Sequence, residues 1–391
     1  MVHRVEVPAE VMIWARERSG KEREDLKRRF PLDEWESGAR SPTYRQLEDY
    51  ADATYTPITY FFFPEPFDEP LPIPDFRTIG DDPIEEPSRD LLDTVSECQQ
   101  RQEWYREYAL ANELDPVPFV DSRTLEDPSR RVAHEMRGML KFEPETRGPS
   151  WSEAFRSLCE RAEGLGVLVM VNGVVGANTH RRLDPDEFRG FALVDDLAPT
   201  VFVNGADTKA AQVFTLAHEL AHLWLGETGL DDIDLGRRAD NATERWCNAV
   251  AAELLVPAEH LRGRYRETES PQSQLGTLAR AYKVSTLVVL RRLCEIDILD
   301  WQEFRDAYNA EVAKVRELSA DNPGGGGGDF YRTHALRVGK TFAAALISET
   351  LAGRTLYTTA FHLLSLRKTS TLYKLGKHVG VRELGNYSGV F

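Results

Sequence analysis

Three side chains between residues 218 and 222 have the types and spacing of a hydrolytic metal site. His218 and His222 are four residues apart, and Glu219 follows the first histidine directly, within an apolar stretch from Phe214 to Gly226. Residues four apart in an α-helix lie on one face, so both imidazoles can bind a single metal ion. The adjacent glutamate has the position of a general base that acts on a metal-bound water.

The residues around this motif favour a buried metal site over a solvated helix face. The helix would be apolar nearly all round, through Phe214, Leu216, Leu220, Leu223, Trp224 and Leu225. Buried histidine and glutamate side chains are costly unless a metal ion or hydrogen bonds compensate for the lost water. We therefore predict a zinc ion (Zn²⁺) with His218 and His222 as ligands and Glu219 as the catalytic base.

A third zinc ligand is expected, because a catalytic zinc ion usually takes three protein ligands and keeps one position open. A second apolar helix is predicted from near Ala242 to Pro257, and Glu244 close to its start is the best candidate. Glu253 lies nine residues further on, about half a turn round the helix, and cannot present to the same point. Asp234 and Asp240 are loop alternatives between the two helices.

Three β-rich runs precede the metal helix, at residues 166–171, 188–194 and 200–204. Val201, Phe202 and Val203 come just before the metal helix in the chain. An edge strand beside a peptidase site can bind an extended peptide through main-chain hydrogen bonds, and we predict that role for these three residues. The alternative is an ordinary core strand.

The first 64 residues have the pattern of a small helical module. Helices are predicted over residues 8–18, 22–30, 32–38 and 43–54 from apolar spacing and the breaks between them. The spacing of Trp35, Glu36, Gly38, Pro42 and Leu47 resembles that of an XRE-type helix-turn-helix domain. That resemblance implies a DNA-binding fold.

The charge of this module argues against strong DNA binding. Residues 1–60 contain ten Lys and Arg against twelve Asp and Glu, and Asp33, Glu34 and Glu36 occupy the segment that would enter the groove. Carboxylates there would face the phosphates unfavourably. A packing or dimerisation module is the alternative interpretation.

The rest of the chain divides by composition. A proline-rich connector is predicted at 65–88, a peptidase domain with a helical scaffold at 89–320, a glycine-rich linker at 321–329 and a helical subdomain at 330–391. From Asp329 onward there are nine Lys and Arg against three Asp and Glu. Any contact with nucleic acid, or with an acidic partner, is therefore expected from this tail, and Arg367, Lys368, Lys374 and Lys377 are the predicted phosphate neighbours. The alternative is a basic subdomain that lies against an acidic body.

Composition excludes several protein classes. The chain has 391 residues and a net charge of −16, which disfavours nonspecific nucleic acid binding over the whole surface. Its four widely spaced cysteines match neither a disulfide framework nor a zinc knuckle, and we expect reduced thiols in the cytoplasm. The start has no signal sequence, and no apolar run is long enough to span a membrane.

Residues 214–222 and 244–257 together resemble the ImmA/IrrE family of zinc metallo-endopeptidases. The resemblance implies an α+β, mostly helical fold with a zincin-like core and a small β-sheet. It also implies zinc ligands at His218, His222 and Glu244, a general base at Glu219, and cleavage of a regulatory protein such as a DNA-bound repressor or a partner toxin under stress. A helix-turn-helix regulator or antitoxin whose zinc domain senses without cleaving, and a structural zinc protein, are the alternatives.

Overall fold

A computed structural model describes residues 4–67, 70–74, 87–231, 241–320 and 329–381. The described residues form two compact units. The first unit contains the described residues up to Ser96, except Ile73 and Pro74. The second unit contains those two residues and the described chain from Glu97 onward. In the described ranges, no helix is long and apolar enough to cross a membrane.

The first unit begins with four helices, as the sequence predicts. They are α1 (Ala9–Arg18), α2 (Arg23–Lys27), α3 (Leu32–Glu36) and α4 (Tyr44–Thr54), followed by a 3-10 helix at Ile58–Phe62. Thr43 caps α4 by accepting a hydrogen bond from the Gln46 amide, while the Gln46 side chain accepts one from the Thr43 amide. The Tyr50 ring packs edge-on against Phe30 and Trp35 in the small core. This agreement covers the helices, and the helix-turn-helix assignment stays a prediction.

Three further helices precede the sheet, where the sequence predicts a helical scaffold: α5 (Arg89–Ala111), α6 (Ser129–Leu140) and α7 (Trp151–Glu163). In α6 and α7 the buried residues recur every three or four positions, as in a helix with one face on a core. Of the predicted connector, only residues 65–67, 70–74, 87 and 88 are among the described residues.

A four-stranded mixed sheet lies in the second unit. Its strands are β1 (Leu168–Asn172), β2 (Gly190–Leu193), β3 (Thr200–Asn204) and β4 (Gly229–Asp231), in the spatial order β1-β3-β2-β4. The β1 and β3 strands are parallel, whereas β2 is antiparallel to both β3 and β4. The first three strands confirm the predicted runs, but β4 falls in a segment that we predicted to be a loop. A mostly helical chain with a small mixed sheet confirms the α+β class.

Two long buried helices cross this part of the second unit, α8 (Lys209–Leu225) and α9 (Ala242–Leu255). They are followed by α10 (Ala258–Arg264), α11 (Pro271–Tyr282), α12 (Thr286–Glu295) and α13 (Trp301–Ala320). All six helices, together with α6, α7 and the strands β1, β2 and β3, contribute to one large apolar core, to which α10 adds Ala258 and Leu261.

The basic C-terminal part contains four helices, which confirms its predicted helical character: α14 (Phe330–Val338), α15 (Lys340–Leu351), α16 (Tyr357–Leu363) and α17 (Thr369–His378). Both α14 and α15 pack against β1. The predicted linker lies outside the described residues except for Asp329, whose side chain caps α14. All four cysteines are free thiols, and three of them are buried.

Candidate metal centre

The two histidines lie on α8, which has a well-defined cap at each end. The Thr208 side chain accepts a hydrogen bond from the Ala211 amide at the start of the helix. Gly226 ends it in the left-handed conformation, with φ of 76°, and a side chain at this position would collide with Asp121. His218, Glu219 and His222 are all completely buried.

Glu244 lies in the first turn of α9, which packs directly against α8. Its Oε2 atom is 3.2 Å from His218 Nε2, and its Oε1 atom is 3.3 Å from His222 Nε2. The two Nε2 atoms are 3.1 Å apart. The structure therefore brings together the three predicted ligands, and within the described ranges they are the one cluster of metal-binding side chains.

These separations fit a single zinc ion. Metal–ligand bonds of about 2.0 to 2.1 Å place the ligand atoms of a tetrahedral site about 3.3 Å apart. The separation of the two Nε2 atoms, and the distance from each of them to its own Glu244 oxygen, Oε2 for His218 and Oε1 for His222, are within about 0.2 Å of that value. Two imidazoles and one carboxylate also match the donor set of catalytic zinc, and three donors leave a fourth position for water. Asp234 and Asp240 lie outside the described residues.

The start of α9 is tied to the end of α8 by two contacts of Glu227. Its amide donates to the His222 carbonyl, 3.2 Å away, and its Oε2 atom accepts a hydrogen bond of 2.9 Å from the Thr243 hydroxyl. Thr243 directly precedes Glu244 in the chain. This link fixes the third ligand relative to the helix that carries the other two.

The β2 strand approaches the general-base candidate closely at Gly190. A methyl group added there would lie 2.9 Å from Glu219 Oε1, 2.6 Å from Thr215 Cγ2 and 2.8 Å from the Phe202 carbonyl oxygen. Gly190 is not among the site residues predicted from the sequence. An isolated glycine inside a β-rich run was the available signal, since it often marks a close approach to the backbone.

Three buried arginines hold the other end of α9, and sequence reasoning missed them as well. Arg137 donates to the Glu253 carbonyl, Arg147 to the Leu254 and Leu255 carbonyls, and Arg292 to the Val256 carbonyl. Cations at a helix C-terminus satisfy carbonyl groups that lack partners within the helix. Burial lowers the pKa of Arg147 to about 9, which is still above neutral, so the guanidinium remains charged.

Glu253 forms a buried ion pair with Arg292, and one carboxylate oxygen accepts a hydrogen bond of 3.3 Å from the Ala258 amide. Its side chain is therefore engaged at the C-terminal end of α9, whereas Glu244 is at the start of that helix. This placement agrees with the helix geometry that ruled out Glu253 as a ligand.

The structure contradicts the predicted role of β3 as a substrate-binding edge strand. Val201, Phe202 and Val203 lie in β3, which is hydrogen-bonded to β1 on one side and to β2 on the other. All three residues are buried. Their strand has no open edge to which a peptide could add, so the edge-strand prediction is wrong and β3 is a core strand. The outer strands of the described sheet are β1 and β4.

The residues predicted to contact nucleic acid lie on the surface of the C-terminal part. Arg367 and Lys368 immediately precede α17, Lys374 and Lys377 lie within it, and all four are exposed. These positions are compatible with the prediction but do not test it.

In the first unit the acidic residues of α3 are paired with cations of the same unit. The short contacts are Arg23 to Asp33 (2.7 Å), Arg40 to Glu34 (2.9 Å) and Arg16 to Glu36 (2.7 Å). Hydrogen bonds from Lys27 and Arg23 lower the pKa of Asp33. The arginines nearest α3 are thus engaged by carboxylates within the unit.

Comparison with known proteins agrees with this site. Residues 162–294, about a third of the chain, match the peptidase family model described as the IrrE N-terminal-like domain, and they include all three candidate ligands and Glu219. Residues 338–378 match a model described as a domain of unknown function (DUF8813).

The chain is also similar to the radiation response metalloprotease IrrE of Deinococcus deserti. The two are 35% identical over 100 residues, which are 24% of this chain and 36% of that protein. The chain thus spans about a third of the length of this relative. Together, the two similarities support a metalloprotease domain with a bound metal ion.

Proposed function

We propose that this protein is a zinc-dependent endopeptidase. The observation that carries the proposal is the buried cluster of His218, His222 and Glu244, with Glu219 one residue from the first ligand. The similarity of residues 162–294 to a peptidase family supports the same conclusion.

In this mechanism the chain supplies the ligands and the base. His218, His222 and Glu244 would hold the zinc ion, which when bound would polarise the scissile carbonyl and lower the pKa of the attacking water. Glu219 accepts the proton of that water on its carboxylate and delivers it to the leaving amine nitrogen. Because β2 passes close to Glu219 at Gly190, the carboxylate has little room to move.

We infer that the substrate is a regulatory protein, such as a DNA-bound repressor or a partner toxin, cleaved in the cytoplasm under stress. The inference rests on the resemblance of residues 214–222 and 244–257 to the ImmA/IrrE peptidases and on the predicted helix-turn-helix pattern of the first 64 residues. The matched relative is named for a radiation response, which is compatible with a stress-related role.

The test compares the wild-type protein with Glu219→Gln, because the amide keeps the shape of the side chain but cannot accept the proton. Each protein is incubated with a cell lysate, and new fragments are identified by mass spectrometry. Glu259→Gln, on the exposed surface of α10, is the matched control. We expect fragments from the wild type and the control but not from Glu219→Gln.

Fragment patterns shared by the wild type and Glu219→Gln would contradict the endopeptidase. They would favour a regulator whose zinc domain binds without cleaving. Elemental analysis completes the test: Glu244→Ala should lose zinc, whereas Glu253→Ala should retain about one ion per chain. The opposite result would refute Glu244 as the third ligand.

A further inference from the structure

A second site is present in the same unit, away from the metal ligands. A cleft of about 880 Å³ lies between the middle of α5, at residues 97–101, the loop that joins β1 to β2, and the segment around the end of α16. Small-molecule sites in proteins commonly have volumes of about 300 to 1,000 Å³. None of the candidate zinc ligands lines this cleft.

The charged side chains that line the cleft are mostly cationic. They are Arg101, Arg181 and Arg367 against a single carboxylate, Glu97, and two histidines, His180 and His362, add further nitrogen atoms. This balance is the reverse of the whole chain, which has 64 Asp and Glu against 48 Lys and Arg. A concave wall of one charge concentrates field lines and attracts ions of the opposite sign.

Hydrogen bonds hold the Arg101 side chain on one side of the cleft and the backbone of the loop that carries Arg181 on the other. Arg101 is buried and donates to the Leu363 carbonyl (2.9 Å) and to Glu97 (3.2 Å), so it ties α5 to the end of α16. Arg181 is also buried and closes a tight loop, in which its amide donates to the Asn178 carbonyl and its carbonyl accepts from the Val175 amide.

Arg367 is available for a ligand. It is exposed at the rim of the cleft, and in the described part of the chain its side chain makes no hydrogen bond or ion pair. Guanidinium groups bind phosphate and carboxylate through paired charge-assisted hydrogen bonds. The half-buried Phe361 adds an aromatic surface beside these groups.

We propose that this cleft binds a small organic or inorganic oxyanion, whose charge is neutralised by Arg181 and Arg367 together. The ligand would bridge two regions that match different family models, because Arg181 lies within residues 162–294 and Arg367 within residues 338–378. Binding would therefore hold the C-terminal helices against the β1–β2 loop. This site is independent of the proposed peptidase activity.

The test is isothermal titration of the full-length protein with inorganic phosphate, adenosine monophosphate and citrate at low ionic strength. We expect one saturable site per chain for at least one of these probes, and weaker binding at high salt. Preference for either phosphate probe over citrate would assign a phosphate ligand, and the reverse preference would assign a carboxylate.

Arg367→Gln should weaken the binding about tenfold or more, because it removes a charge-assisted contact. His180→Gln, on the opposite wall, should cause a smaller loss. Arg332→Gln is the matched control: it makes the same chemical change at an exposed position of α14 that does not line the cleft, and it should leave the affinity unchanged.

Three results would overturn the proposal. No saturable binding of any probe would mean that the cleft does not bind oxyanions. An equal loss in Arg332→Gln would mean that the probes respond only to overall charge. Duplex DNA that displaces the small probe and depends equally on Arg367 would mean that nucleic acid phosphates are the ligand. Each readout is a binding constant, so the outcome does not depend on proteolysis.

Discussion

Replacement of Gly190 by alanine tests the close approach between β2 and the general base. The added methyl group would meet Thr215 Cγ2, the Phe202 carbonyl oxygen and Glu219 Oε1, all at less than 3.0 Å. Contacts this short cannot persist, and crowding of a packed interior typically costs about 1 to 3 kcal/mol. We expect the free energy of unfolding to fall by about that amount.

The same change should reduce proteolysis while zinc is retained. None of the three ligands is among the three atoms nearest to the added methyl group. Glu219 Oε1 is one of those nearest atoms. Misplacement of a catalytic group by about 1 Å can lower the reaction rate on the order of 100-fold. A displacement of a few tenths of an ångström should therefore lower the rate of fragment release roughly tenfold.

The assay combines urea unfolding, zinc analysis and the rate of fragment release. Gly138→Ala in α6 and Gly263→Ala in α10 are the controls, since an added methyl group would contact nothing within 4 Å at either position. Because both glycines lie in helices, each change to alanine should raise the free energy of unfolding by about 0.5 to 1 kcal/mol. Wild-type stability and rate in Gly190→Ala would refute the close approach of β2 to the base.

A second variant separates the loss of stability from the loss of activity. Thr215→Ser removes Cγ2, the atom nearest to the added methyl group, and keeps the hydroxyl. In the Gly190→Ala background it should restore part of the stability. The rate should stay low, because the contacts with Phe202 and Glu219 remain. Full recovery of the rate would show that Thr215, and not Glu219, transmits the effect.

Three further predictions concern the rest of the chain. Glu253→Ala should lower the free energy of unfolding by about 3 kcal/mol, because it leaves the Arg292 guanidinium buried without this partner; an unchanged urea midpoint would contradict the pair. Burial lowers the pKa of His334 from 6.5, so the unfolded chain binds the proton first, and stability should fall as the pH drops below about 6.5. His334→Gln should flatten that part of the curve in urea unfolding between about pH 7.5 and 5, and an equal slope would contradict the argument. Finally, any DNA binding should depend on the basic tail. Changing Arg367, Lys368, Lys374 and Lys377 to Gln should therefore reduce the slope of log affinity against log salt concentration by about 3 to 4. Sequence-selective binding that survives the change would assign DNA binding to the first unit.

The sequence alone predicts the local features of this site. The four-residue spacing in α8 and the position of Glu244 in α9 depend only on helix geometry, and the structure brings these side chains together. The helices of the first unit were also predictable, because apolar spacing and breaks at Ser19, Gly20 and Pro31 are local signals.

The features that were missed depend on contacts between distant parts of the chain. The position of β3 inside the sheet requires β1, which pairs with it across about 30 residues, and no local pattern reports that partner. The β4 strand has only three residues, too few to show alternation. Arg137, Arg147 and Arg292 are spread over three segments, and an arginine in a sequence ordinarily indicates a solvated surface.

The pairing of β2 with β4 has a consequence for how the metal helix opens. The two strands lie before and after α8 in the chain, so their ladder closes a loop that contains the whole helix. Because α8 also packs against β2 and β3, its unfolding would expose the apolar surface that it shares with the sheet, and the helix should not fray independently. Amide hydrogens of α8 and of the β2–β4 ladder should exchange with solvent as one cooperative group, at a rate set by the opening of the entire core.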